Sequence, residues 1–118
     1  MGKTIIAVDD ERLALEGLLS AIHKAEPGAN VLGFRNPDEA LEYARVNHPD
    51  VAFLDMELRT TTGIEVGKKL RKMNDAIGII FQTGFREYMD DATRMHANGY
   101  ILKPVTAEKV QEELTKLA

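Results

Sequence analysis

Short apolar runs alternate with longer amphipathic stretches five times along this chain. Thr4 to Val8 is β-branched and apolar and reads as a buried strand. Arg12 to Ala25 follows, with Leu15, Leu18, Leu19 and Ile22 at helical spacing, until Pro27-Gly28 stops it. Val31 to Phe34 is a second strand. Asn36-Pro37-Asp38-Glu39 then opens a helix, with Asn36 as N-cap, Pro37 at the first helical position and Glu39 reaching back in a capping box. Ala40, Leu41, Ala44 and Val46 form its expected inner face. His48-Pro49-Asp50 turns into a strand from Val51 to Leu54. Glu57 to Gly63, with three consecutive threonines, reads as a loop, and Ile64 to Met73 as a helix with Ile64, Val66, Leu70 and Met73 apolar. Ile77 to Phe81 is a strand, Gly84-Phe85-Arg86 a loop, and Tyr88 to Ala97 a helix of weak apolar pattern that Asn98-Gly99 ends. Tyr100 to Leu102 is the last strand. Thr106 caps the final helix, whose inner face is Val110, Leu114 and Leu117. Strand–helix alternation at this pace predicts βαβ units, hence an α/β fold with a parallel sheet covered on both faces.

The polar residues that close the apolar runs carry the chemistry. Asp9 and Asp10 end the first strand, Asp55 the third and Lys103 the fifth, while Thr83 follows the fourth with only Gln82 between. Ligands of an open parallel sheet bind just outside the carboxyl ends of its strands, so these groups should meet in one crevice. Two carboxylates ~4 Å apart repel by about 1 kcal/mol in water and about 4 kcal/mol at a protein-like dielectric. Mg²⁺ is the natural offset, a hard cation held by one or two carboxylates that keeps waters for a phosphate oxygen to replace. Lys103 adds a point charge for phosphoryl oxygens, Thr83 a hydroxyl, and Gly84 leaves room for close approach. Asp55 stands alone on a middle strand and is the best-placed carboxylate nucleophile toward phosphorus. The Glu57 carbonyl, in the rim loop, is a further candidate metal ligand.

Bulk properties narrow the function classes. The 118 residues predict one domain, spanning 1–118. Hydrophobic residues make up 44% and charged residues 29%, an ordinary globular balance, and a net charge of -4 argues against direct nucleic-acid binding by this domain. With no cysteine there is no disulfide, thiolate nucleophile or zinc-thiolate site, which fits a cytoplasmic location. No apolar stretch approaches the ~18 residues of a membrane span. Met1-Gly2-Lys3 leads straight into a strand and offers no signal peptide. His23, His48 and His96 lack metal-ligand spacing and read as surface or helix-end residues. Lys68, Lys69, Arg71 and Lys72 read as a solvated helix face, and Met56, Met73, Met89 and Met95 as packing residues.

Taken together, the chain resembles the response-regulator receiver domain of two-component signalling over essentially its whole length. The resemblance rests on Asp9-Asp10-Glu11, Asp55 with Gly63 eight residues later, Thr83 before a small residue, and Gly99-Tyr100-Ile101-Leu102-Lys103-Pro104. It implies the flavodoxin-like fold with five parallel strands in order 2-1-3-4-5. It implies that Asp55 accepts a phosphoryl group from a phosphohistidine on a sensor histidine kinase. Asp10, Asp55 and the Glu57 carbonyl would hold Mg²⁺, with Asp9 acting mainly through metal-bound water. Thr83 and Lys103 would bind the phosphoryl oxygens, Tyr100 would be an aromatic switch coupled to Thr83, and the Lys103–Pro104 bond would be cis. The face made by the fourth helix, fifth strand and fifth helix would change its affinity for partners or for a second copy, as in a homodimer. Such a domain catalyses only its own phosphorylation and dephosphorylation. Glu11 to Glu16 and Glu87-Tyr88-Met89 resemble receivers joined to LytTR-type DNA-binding output domains, and such an output implies transcription regulation. Three positions depart from the pattern: Arg59 stands where the family usually has Pro and alters the rim loop, Leu58 replaces a frequent Met, and Gly84 a frequent Ala.

Two other readings compete. Asp55-Met56-Glu57 mimics the nucleophile and second acid of haloacid-dehalogenase-like phosphatases, but those place the nucleophile early and the acidic pair late, the reverse of this chain. A degenerate receiver acting only as a protein-binding module would not need Asp10, Asp55, Thr83 and Lys103 together.

Overall fold

The computed structural model of the chain describes residues 2–117. It shows five parallel strands, β1 (Thr4–Val8), β2 (Asn30–Phe34), β3 (Val51–Asp55), β4 (Gly78–Thr83) and β5 (Gly99–Leu102), hydrogen-bonded in the order β2-β1-β3-β4-β5. The helices are α1 (Arg12–Ala25), α2 (Pro37–Asn47), α3 (Gly63–Met73), α4 (Met89–Arg94) and α5 (Ala107–Lys116), with a 3-10 turn at Arg86–Tyr88. The expected α/β fold and strand order are both present.

Strand alternation divides the core into two halves. Ile5, Ala7, Phe53, Ile80 and Ile101 face α1 and α5, where Leu18, Ile22, Val110 and Leu114 close over them. Ile6, Val8, Leu54, Ile79 and Phe81 face the other way, against Ala40 and Ala44 of α2, Val66 and Leu70 of α3 and Ala92 of α4. Every residue of β3 and β4 is buried, as central parallel strands covered on both faces require.

Several local expectations are corrected. Val46 is 60% exposed and lies off the inner face of α2, and Met73 and Met89 are exposed rather than packed. Asn36 does cap α2, but its side chain accepts from the Asp38 N–H at 2.8 Å, one residue short of Glu39, so the capping box does not form. The N-cap of α1 is Glu11, whose own N–H donates to the Asp9 side chain at 3.0 Å. Thr62, assigned to the loop, is the N-cap of α3 and accepts from Glu65 N–H. The fourth helix is shorter than its pattern suggested. It ends at Arg94, and His96 (φ 61°) rather than Gly99 takes the left-handed position, with Ala97 N–H donating to the Ala92 carbonyl in a Schellman-type stop.

Arg71 is not part of a solvated face. Its guanidinium donates to the carbonyls of Ile77, Met95 and His96 and to Asn98 Oδ1, joining the end of α3 to the segments before β4 and β5. Asn98 Oδ1 also accepts from Ile79 N–H at 2.8 Å. This polar junction holds the α4–β5 connection against the sheet.

Candidate functional site

The carboxyl ends of β1, β3 and β5 bring Asp9, Asp10, Asp55 and Lys103 together. Oxygens of the three carboxylates lie within 4.8 Å of one another. Lys103 Nζ stands 3.4 Å from Asp9 Oδ2 and 3.4 Å from Asp55 Oδ2. The strand register explains the convergence. Asp9 follows Val8 of β1, which pairs with Leu54, while Asp55 pairs with Gln82 of β4 and Thr83 with Leu102 of β5. The Lys103 N–H donates to the Thr83 carbonyl at 2.7 Å, which continues the β4–β5 ladder to the site.

The three acids differ in environment. Asp9 is 1% exposed and both its oxygens are engaged, Oδ1 by the Glu11 N–H and Oδ2 by Lys103. Asp55 is buried; its Oδ1 accepts the Glu57 N–H at 3.1 Å and its Oδ2 faces Lys103. Asp10 is the more open one. Its Oδ2 accepts the Arg59 N–H at 2.7 Å, and Arg35 Nε donates to its backbone carbonyl at 3.2 Å. Neither arginine contact was visible in the sequence pattern, because one uses a backbone donor and the other a backbone acceptor.

Electrostatics follow from this packing. The Asp55 carboxyl is pushed up from 3.8 to about 6 as the balance of four influences: burial raises it most, the Glu57 N–H opposes that, the Asp9 charge adds to it, and Lys103 lowers it. For Lys103, burial works against the charged form, but the Asp55 and Asp9 carboxylates outweigh it and hold the ammonium above its ordinary value. Three carboxylates sharing one lysine leave net negative charge on hard oxygens, which suits a small divalent cation, and the residues present fit Mg²⁺.

Thr83 is 1% exposed, and its Oγ1 accepts the Phe85 N–H at 3.3 Å, which leaves the hydroxyl proton free to donate. Tyr100 is half-buried on edge strand β5 and its phenol donates to the Phe85 carbonyl, two residues beyond Thr83. Lys103–Pro104 is cis, as the resemblance implied. Glu57 exposes its side chain, which accepts the Tyr88 hydroxyl at 3.2 Å across the rim. Gly63 is needed for close approach: a Cβ there would lie 2.3 Å from the Asp55 carbonyl oxygen, where the Gly63 N–H donates to Met56. The three histidines are exposed and lie outside the cluster.

A family model described as the response regulator receiver domain matches residues 5–115. This chain belongs to that family.

The receiver domain is 32% identical over 112 residues to the transcriptional regulatory protein LytR of Staphylococcus aureus (strain N315), and 33% identical over 113 residues to the sensory transduction protein LytT of Bacillus anthracis. Each alignment takes in 95% of this chain and 46% of the relative, so the chain spans about half the length of those regulators. Among solved structures, the response regulator TrrA from Thermotoga maritima, in complex with Mg(2+)-BeF, superposes with a TM-score of 0.86 at 28% identity, covering 98% of this chain and 99% of that one. No helix among the described residues is long and apolar enough to cross a membrane.

Proposed function

We propose that this receiver domain is a phosphorylation switch with Asp55 as acceptor. The observation that carries the reading is the clustering of the three carboxylates within 4.8 Å, with Lys103 Nζ 3.4 Å from Asp55. In the transfer, an Asp55 oxygen forms a bond to phosphorus as the bond from phosphorus to the imidazole nitrogen of a sensor histidine kinase breaks. Lys103 stabilises charge on the phosphoryl oxygens, and the Thr83 hydroxyl donates to another of them. Asp10, Asp55 and the Glu57 carbonyl would hold Mg²⁺, and Asp9, its oxygens already engaged, would reach the metal through water. Mg²⁺, when bound, neutralises the carboxylates and the phosphoryl oxygens.

The readout runs through Thr83 and Tyr100. When the Thr83 hydroxyl turns to the phosphoryl group, its acceptor bond from Phe85 N–H is disturbed, and Tyr100 is tied to the same residue through the Phe85 carbonyl. The α4–β5–α5 face then changes its affinity for a second copy or an output domain. Similarity to LytR, a transcriptional regulatory protein, and to LytT, a sensory transduction protein, supports a regulator of transcription. In this reading the domain, 1–118, is its cytoplasmic switch, joined to a DNA-binding output and turning over no free substrate.

The test is intact mass after incubation with a small-molecule phosphodonor and Mg²⁺. The parent should gain one phosphoryl group and Asp55→Asn none. Labelling of Asp55→Asn at the parent's level would move the acceptor elsewhere.

A further inference from the structure

Arg59 occupies the rim-loop position where receivers usually carry proline, and the structure gives that difference a chemical content. Its backbone N–H, which proline lacks, donates to Asp10 Oδ2 at 2.7 Å. Its guanidinium Nε lies 3.9 Å from the same oxygen, on a side chain 83% exposed. One oxygen of the most accessible acid in the cluster thus faces both the positive end of a peptide dipole and a guanidinium charge. We infer that Arg59 acts as a resident counter-cation for Asp10, so that a divalent metal must compete with it and binds more weakly than it would with proline at this position. This rests on Asp10 being a metal ligand, as proposed above.

Two effects oppose each other. The hydrogen bond orients Asp10 for a metal, but an aspartate has only two side-chain torsions, and ordering them is worth less than a charge-assisted hydrogen bond. Withdrawal of carboxylate charge therefore decides the sign. The two contacts are also separable by mutation. Arg59→Ala keeps the N–H and removes the guanidinium; Arg59→Pro removes both.

The experiment is calorimetric titration of the metal-free domain with Mg²⁺ at low ionic strength, for the parent, Arg59→Ala, Arg59→Pro and Asp10→Asn. Arg59→Ala should tighten binding about twofold, an effect that added salt erases. Arg59→Pro should tighten it about five- to tenfold. Equal or weaker binding by Arg59→Pro, with Asp10→Asn strongly impaired, would overturn the role of Arg59 while leaving Asp10 as a ligand. Parent-like binding by Asp10→Asn would overturn the ligand assignment itself. If Arg59→Pro fails to fold, the salt-sensitive change in Arg59→Ala decides alone.

Discussion

Lys103 Nζ stands 3.4 Å from Asp55 Oδ2 although 48 residues separate them along the chain. The same ammonium meets Asp9 at the same distance, so one cation serves two buried anions. Removing it leaves both carboxylates in a poorly solvated place with only a backbone N–H each and no cationic partner.

Lys103→Met should therefore destabilise the metal-free domain by about 1–2 kcal/mol at pH 7, with solvent access to the lysine limiting the effect. The loss should shrink as pH falls through about 6, where Asp55 takes up its proton. Urea unfolding in EDTA at pH 7 and pH 4.5 checks this. A loss equal at both pH values would mean that lysine packing, not charge, is what matters.

Asp55 itself should give the metal-free domain an unusual pH dependence. Its folded pKa of about 6 exceeds its ordinary 3.8, so the folded state holds the proton more tightly. That contribution is fully present below about pH 4 and is lost as pH rises through about 6. After discounting for solvent screening it amounts to about 1–2 kcal/mol. Asp55→Asn should flatten this part of the curve and be the more stable protein at pH 7 in EDTA. Parallel curves for the two proteins would contradict the assignment.

Gln82 is fully buried beside Asp55 in the strand register, and among the described residues neither its amide nitrogen nor its amide oxygen has a hydrogen-bond partner. Unpaired buried polar atoms destabilise by about 1–3 kcal/mol. Gln82→Met, similar in volume and without the amide, should raise stability by about 1–2 kcal/mol. A drop in the urea midpoint would show that the amide is satisfied in solution, for instance by a buried water.

At Gly63, alanine would press against the Asp55 carbonyl and the Met56 backbone. Gly63→Ala should cost about 2–3 kcal/mol and reduce phosphodonor labelling, because relief requires moving the strand end that carries Asp55. An unchanged melting temperature with normal labelling would mean that the loop yields instead.

Much of this was legible in the sequence. Buried strands announce themselves as unbroken apolar runs, and Asp9, Asp55, Thr83 and Lys103 were placed by the fact that parallel strands deliver their carboxyl ends to one side. What escaped depended on backbone groups and tertiary partners. The N–H of Arg59 and the carbonyls that Arg71 binds leave no trace in a pattern of side chains. Helix α4 was overextended because its apolar signal is weak: Ala92 is its only buried residue. Its stop at His96 uses a left-handed histidine where Asn98-Gly99 offered the more familiar signal. Asn98 is occupied elsewhere, bonding Ile79 and Arg71.

The position of β3 between β1 and β4, with every residue buried, has a dynamic consequence. Amides of such a strand exchange with solvent only when the whole domain opens, whereas edge strands and short helices open locally. Asp55 is thus fastened to a strand whose amides should exchange slowly, while Tyr100 lies on edge strand β5 and the 84–88 segment precedes the six-residue α4. The anvil is rigid and the recoil is taken up on one flank, so on adding a phosphoryl mimic the local openings around residues 84–102 should change, while 51–55, which report only global opening, should slow by no more than binding adds to overall stability.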